Sequence, residues 1–207
     1  MYVTLRRYAE VGVRMYGMIA RKVEDGLVPA LKGQPGFRCY CAFVSEDGDG
    51  VSVTAFDDRE RAVLADGQVR AWVRDNLRDL VPDPPEVSAG QCGVAEVARE
   101  RSAGQRQPPF VVVREYADLG PAEETGEVVR RHAPPIIAGS PGFRAVYAFG
   151  DERDPSRGAI VTLFDTRTDA LRSHERSARV FREEAGGVAP SPPRVASGRA
   201  IVFATAD

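Results

Sequence analysis

The chain is poor in the residues that usually announce chemistry. It has three cysteines, Cys39, Cys41 and Cys92, and two histidines, His132 and His174, in 207 residues. An odd cysteine count with no spaced framework excludes a disulfide scaffold. Cys39 and Cys41 stand two apart in a strand-like run, point the same way and cannot readily bridge, so a reducing cytoplasm is expected. They read as small core residues rather than ligands. No CxxC, HExxH, Walker loop or GxSxG occurs, so no metal centre or phosphate cradle is expected. No apolar run approaches the length of a membrane span, and the N-terminus has no signal-peptide core. The net charge of −2 supplies no drive toward nucleic acid or anionic membrane. Lysine is nearly absent, only Lys22 and Lys32, so the positive charge is almost all arginine, whose fork suits carboxylates and phosphates.

What the sequence does have is itself, twice. Tyr2-Val-Thr-Leu-Arg-Arg-Tyr8 returns as Phe110-Val-Val-Val-Arg-Glu-Tyr116, and Pro35-Gly-Phe-Arg38 as Pro141-Gly-Phe-Arg144. Val53-Thr-Ala-Phe-Asp57 returns as Val161-Thr-Leu-Phe-Asp165, and Pro84-Pro85 as Pro192-Pro193. The offsets are 110 − 2 = 108, 141 − 35 = 106, 161 − 53 = 108 and 192 − 84 = 108. A period this long is a duplicated domain and no solenoid. The expected domains are 1–97 and 110–207, joined by a polar linker over 98–109.

Each repeat reads strand, helix, strand, strand, helix, strand. In the first, apolar residues recur every four positions from about Gly12 to Lys32, a helical face. Asp47-Gly-Asp-Gly50 is a hairpin turn between the strands Phe37–Val44 and Val51–Phe56. Asp57 or Asp58 caps a second helix, whose stripe runs from Val69 to Leu80 and stops at Pro82. In the second repeat a helix spans Ala122 to Ala138, and Pro134 and Pro135 are expected to distort it. This β-α-β-β-α-β order predicts an α+β protein made of two ferredoxin-like repeats. The strand residues are apolar on both faces, so each repeat's sheet is expected to close against the other in one intrachain barrel, leaving a monomer or a homodimer.

The first strand ending in Arg/Glu-Tyr, the Pro-Gly-Phe-Arg turn, the Phe-Asp after the third strand, Trp72-Val-Arg-Asp-Asn-Leu77 and the Pro-Pro-Glu-Val-Ser-Ala-Gly run at 84 to 90 resemble the dimeric α/β-barrel superfamily, within it the antibiotic-biosynthesis-monooxygenase-like group. That resemblance covers nearly the whole chain. It implies a small-molecule pocket, and either a cofactor-independent monooxygenase or isomerase acting on an aromatic or polyketide-like substrate, or a non-catalytic ligand-binding or stress-associated scaffold. Haem-degrading members of the superfamily work with a tryptophan, a histidine and a first-strand asparagine. Here the first strand offers Arg6 and Tyr8, and the first repeat has no histidine, so neither haem nor any other cofactor is expected.

The candidate site follows from the paired positions. His174 lies on the stripe Leu171, His174, Ala178, Phe181, and its counterpart at 174 − 108 = 66 is Asp66. A titratable group on the pocket side of one helix in both repeats is the strongest local signal. His174 is expected as general base or haem-edge ligand, with Tyr116 as catalytic partner, the structural alternative being a partly buried polar residue that meets a backbone carbonyl. Arg144, Tyr147, His132, Asp66, Tyr8, Arg38 and Trp72 are expected to line substrate. An arginine beside a tyrosine can hold the anionic oxygen of a phenolate or carboxylate. The alternative is structural: His132 compensates a helix end, Trp72 is core, and the paired arginines Arg6, Arg114, Arg38 and Arg144 make interdomain ion pairs with Asp57, Asp165 or Glu115.

Overall fold

A computed structural model describes residues 1–11, 15–81, 83–98, 107–184 and 188–206. Most of the expected linker, 99–106, lies outside the described residues, as do Gly12 and Pro82. The chain divides into two compact units, Met1–Ser88 with Ala200–Asp207, and Ala89–Arg199.

Unit 1 holds β1 (Tyr2–Tyr8), a helical stretch made of α1 (Tyr16–Lys22), a π-helical turn (Val23–Leu27) and α2 (Val28–Lys32), then β2 (Phe37–Val44), β3 (Gly50–Phe56) and α3 (Arg59–Leu77). Unit 2 holds most of β4 (Glu86–Val97), β5 (Phe110–Tyr116), α4 (Ala122–Ile137), β6 (Phe143–Gly150), β7 (Gly158–Phe164), α5 (Arg167–Glu184) and the first half of β8 (Arg194–Thr205). All pairings described are antiparallel, and the strand orders are β1-β3-β2-β8 and β8-β5-β7-β6-β4.

The registers coincide under the 108-residue shift. Tyr2 faces Phe56 and Tyr8 faces Gly50, while Phe110 faces Phe164 and Tyr116 faces Gly158. The units nevertheless cut across the repeats, and strand length is the reason. β4 and β8 have twelve residues each, whereas β5 has seven. Only Arg194–Arg199 of β8 can pair with β5, and Ala200 to Thr205 pair with β2 instead.

Period-two alternation sorts each strand. In unit 2 Phe110, Val112, Val146, Ala148, Ile160 and Phe164 pack with Ala133 and Ile137 of α4 and Ala170 of α5. The alternate residues Val111, Val113, Val161 and Leu163 are equally buried. The Pro-Gly-Phe-Arg turns need their glycines, because Gly36 and Gly142 sit at φ +75° and +68°.

Three local expectations change. Asp58 alone caps α3, accepting from the Arg61 backbone N–H at 3.0 Å. α4 runs unbroken through Pro134 and Pro135. Both prolines stand in its last turn, so the donors they lack would have served the carbonyls of Arg130 and Arg131, two exposed residues that water can satisfy. The irregularity falls in the first repeat, at the π turn, where the Trp72 ring lies against Gly26, so close that a Cβ there would sit 2.9 Å from it.

Gly90 is required by close approach. A Cβ there would lie 1.9 Å from the Gly150 carbonyl oxygen across β4 and β6. Gly90→Ala is expected to cost about 1–3 kcal/mol as an overpacked backbone contact. A urea midpoint equal to the parent's would contradict it.

Candidate functional site

On β5 the alternation that turns Phe110 and Val112 toward the helices also turns Arg114 and Tyr116 there. On α5 the helical spacing brings His174, Ser177, Ala178 and Phe181 to one face. The two faces meet. Arg114 Nε–H donates to His174 Nδ1 at 2.7 Å. Arg114 is 3% exposed and His174 half-buried.

This contact sets the histidine's chemistry. A guanidinium has no lone pair and stays protonated, so Nδ1 is the acceptor and the ring hydrogen sits on Nε2. Burial, and then the charge of Arg114, hold the imidazole pKa below its ordinary value, against the opposing pull of exposed Glu175. Burial pushes the Tyr116 phenol up, which Arg114 partly offsets. At neutral pH the group therefore comprises one cation and two neutral donors. The expected general base has its Nδ1 lone pair occupied, and the imidazole can donate through Nε2.

Unit 1 builds the same contact with a different partner. Arg6 bonds the Asp66 carboxylate, at the same sequence separation of 60 as Arg114 and His174. Arg70 adds a second ion pair to Asp66 at 3.1 Å, and Arg6 Nη1 donates to Thr54 Oγ1 at 3.3 Å. The counterpart of Arg70, at 70 + 108 = 178, is Ala178.

Cavities follow from side-chain size. In unit 2 a chamber of about 220 Å³ lies between sheet and helices, bounded by Tyr116, Thr125, Val129, Ala148, Ile160 and Phe181. A second space of about 380 Å³ shares Tyr116, Ile160 and Phe181 with it and adds Arg114, His174 and Ala178. The matching cavity of unit 1 holds about 60 Å³. Its walls include Tyr16, Ile19 and Tyr40. At the offset of 106, unit 2 has Ala122, Thr125 and Val146 at these positions.

Several expected residues stand elsewhere. Arg144 is buried in an ion pair with Asp165, Nε to Oδ1 2.6 Å, and exposed Arg38 pairs with Asp57. These pairs lie within single units, and Arg6 and Arg114 reach Asp66 and His174 instead. Tyr147 is buried on the sheet face away from the helices, since Val146 and Ala148 take the helix side. His132 sits half-buried on α4 outside the lining of both unit 2 cavities. Trp72 borders a shallow outer groove with Met18, Arg21 and Asn76, and so is neither fully core nor beside Tyr8. Tyr8 lines the small unit 1 cavity. Arg114 belongs to this site, although its pairing with Arg6 in the repeat points only to a structural ion pair. Among the described residues no three His, Cys, Asp or Glu side chains converge as metal ligands would, and no helix is long and apolar enough to cross a membrane.

The sequence matches no protein-family model and no curated protein. Solved structures do match over the whole chain. A candidate monooxygenase from Fusobacterium nucleatum superposes with a TM-score of 0.74 at 14% identity, covering 99% of this chain and 94% of that one. A candidate monooxygenase from Lactobacillus acidophilus gives 0.69 at 15% identity, covering 99% and 95%. An anthrone oxidase-like protein gives 0.64 at 11% identity, covering 99% and 93%. The fold is that of the dimeric α/β-barrel proteins. Identities this low carry the fold and leave the chemistry to the site.

The depressed His174 pKa has a consequence for stability. A neutral buried imidazole contributes stability that is present above its unfolded value of about 6.5. That contribution is lost as pH falls toward the lower folded value, because the unfolded chain then binds the extra proton. Urea midpoints are expected to decline below about pH 6.5, and His174→Gln should flatten that decline. An identical slope in the variant would refute the assignment.

Proposed function

We propose that unit 2 is a small-molecule pocket that acts on a flat aromatic or polyketide-like substrate, as a monooxygenase or isomerase that recruits no cofactor. The observation that carries the reading is the apolar chamber of about 220 Å³ adjoining a second space whose polar lining includes Arg114, His174 and Tyr116. Most of the chamber wall is aliphatic or aromatic, which suits a ring system. Donors gathered at a carbonyl or phenol oxygen favour its enolate form, since preorganised hydrogen bonds stabilise charge as it develops. The proton lost from carbon then goes to water. For an anthrone the balance with dioxygen is simple. Two hydrogens leave the methylene carbon, one oxygen atom becomes the second quinone carbonyl, and the other departs as water.

The fold likeness to candidate monooxygenases and to an anthrone oxidase-like protein supports this reaction class. A second reading, a binding scaffold without turnover, is favoured by one observation: the His174 Nδ1 lone pair is taken by Arg114. Oxygen uptake with an anthrone, without added flavin or metal, separates them. Saturable uptake with quinone absorbance is expected. Saturable anthrone binding without oxygen uptake would leave the scaffold reading, and no binding would remove both.

A further inference from the structure

Burying a cation without a counter-charge is costly. Arg114 is 3% exposed, yet its hydrogen-bond partner is a neutral imidazole, and among the described residues no carboxylate pairs with it. Burial accordingly lowers its pKa. Its counterpart Arg6 is as deeply buried, 2% exposed, but carries the Asp66 carboxylate. The two arginines stand at equivalent registers of the equivalent strands β1 and β5 and reach equivalent positions on α3 and α5. Between sheet and helices the half with the carboxylate leaves a cavity of about 60 Å³, whereas the matching chamber of the other half holds about 220 Å³ and adjoins a space of about 380 Å³ beside the arginine. Unit 1 thus displays the group that unit 2 lacks.

We propose that unit 2 takes an organic anion as its ligand, the charged oxygen occupying on Arg114 the place that the Asp66 carboxylate occupies on Arg6. This rests on the pocket reading above and narrows its substrate class to ligands already charged when they bind. The recognition set for that oxygen is the Nη donors of Arg114 and the Tyr116 hydroxyl, since His174 takes the Nε donor through Nδ1 and turns its Nε2–H away from Arg114 toward another part of the ligand. A neutral ligand of the same shape would keep the apolar contacts and leave the cation uncompensated. Charge-assisted hydrogen bonds exceed neutral ones by enough to separate the two. A carboxylate and an acidic phenolate present the same chemistry, an anionic oxygen on an apolar body. Asp66 itself is a carboxylate with two oxygens shared between Arg6 and Arg70. Unit 2 has Ala178 in place of Arg70, so a single charged oxygen suffices there.

The test compares naphthoate, its neutral carboxamide and an acidic nitronaphthol held as its phenolate at mildly alkaline pH, titrated calorimetrically into the whole chain. Both anions are expected to bind about 10- to 100-fold more tightly than the carboxamide. A naphthoate preference alone would restrict the site to carboxylates, and a phenolate preference alone to phenolates. His174→Asp should abolish the preference, because it supplies Arg114 with an internal carboxylate, and should melt no lower than the parent. Equal affinity of anions and carboxamide would overturn the inference while leaving the pocket reading intact. A preference that survives in a folded His174→Asp protein would overturn it too. Failure of every probe to bind would remove the pocket reading and the inference together.

Discussion

Ala122→Tyr combined with Thr125→Ile is expected to close the unit 2 chamber and remove most of its affinity for any ring-shaped ligand. These substitutions install the residues that unit 1 carries at the same helix positions, Tyr16 and Ile19, where the cavity is about 60 Å³ instead of about 220 Å³. A ligand denied roughly 100 Å² of apolar contact loses about 2.5 kcal/mol, or about 70-fold in Kd. The variant should stay folded, since the same side chains already fit the same fold once. Fluorescence titration with an anthrone or naphthoate decides the matter. Undiminished affinity in a folded variant would place the ligand outside the chamber.

The two buried arginines should respond unequally to the same substitution. Arg6→Met strands the Asp66 carboxylate in a partly buried site and is expected to cost about 3 kcal/mol, the low end for a broken buried pair because Asp66 keeps Arg70. Arg114→Met removes a buried cation that no carboxylate among the described residues compensates. Its expected cost is below about 1 kcal/mol, and a gain is consistent, because apolar replacement of buried charge is often neutral or stabilising. His174 would lose only a hydrogen bond on a half-buried ring. Urea unfolding of both variants at neutral pH measures the difference. Equal losses, or a larger loss for Arg114→Met, would mean that Arg114 is held by structural partners and is not awaiting a ligand.

The element order, the hairpin turns and the equivalence of Asp66 with His174 are all legible in the sequence, because they depend on local chemistry and on a repeat offset. Glycine and aspartate at the turns, four-residue periodicity in the helices and two-residue alternation in the strands act over short distances. The emptiness of the second half was legible in principle as well. Tyr16, Ile19, Tyr40 and Arg70 are each replaced by something smaller at the matching offset. Other expectations failed for reasons that no pattern reveals. Arg144 and Tyr147 share β6 with the cavity residue Ala148, but a bulge between Phe143 and Ala145 and the strand's alternation send Arg144 to Asp165 and Tyr147 to the far face. Trp72 fits a helical stripe, and only Gly26 in the π turn explains its place beside an outer groove.

The sequence by itself therefore determined the α+β class, the doubled β-α-β-β-α-β order and which residues occupy equivalent positions, since each is written in spacing along the chain. The tertiary structure alone decided that His174 meets Arg114 through Nδ1, that β4 and β8 are divided between the compact units, and that open space survives in unit 2. Those outcomes depend on distances between residues about 60 apart, on strands outreaching their partners, and on the summed volumes of facing side chains, quantities that exist only once the chain is folded.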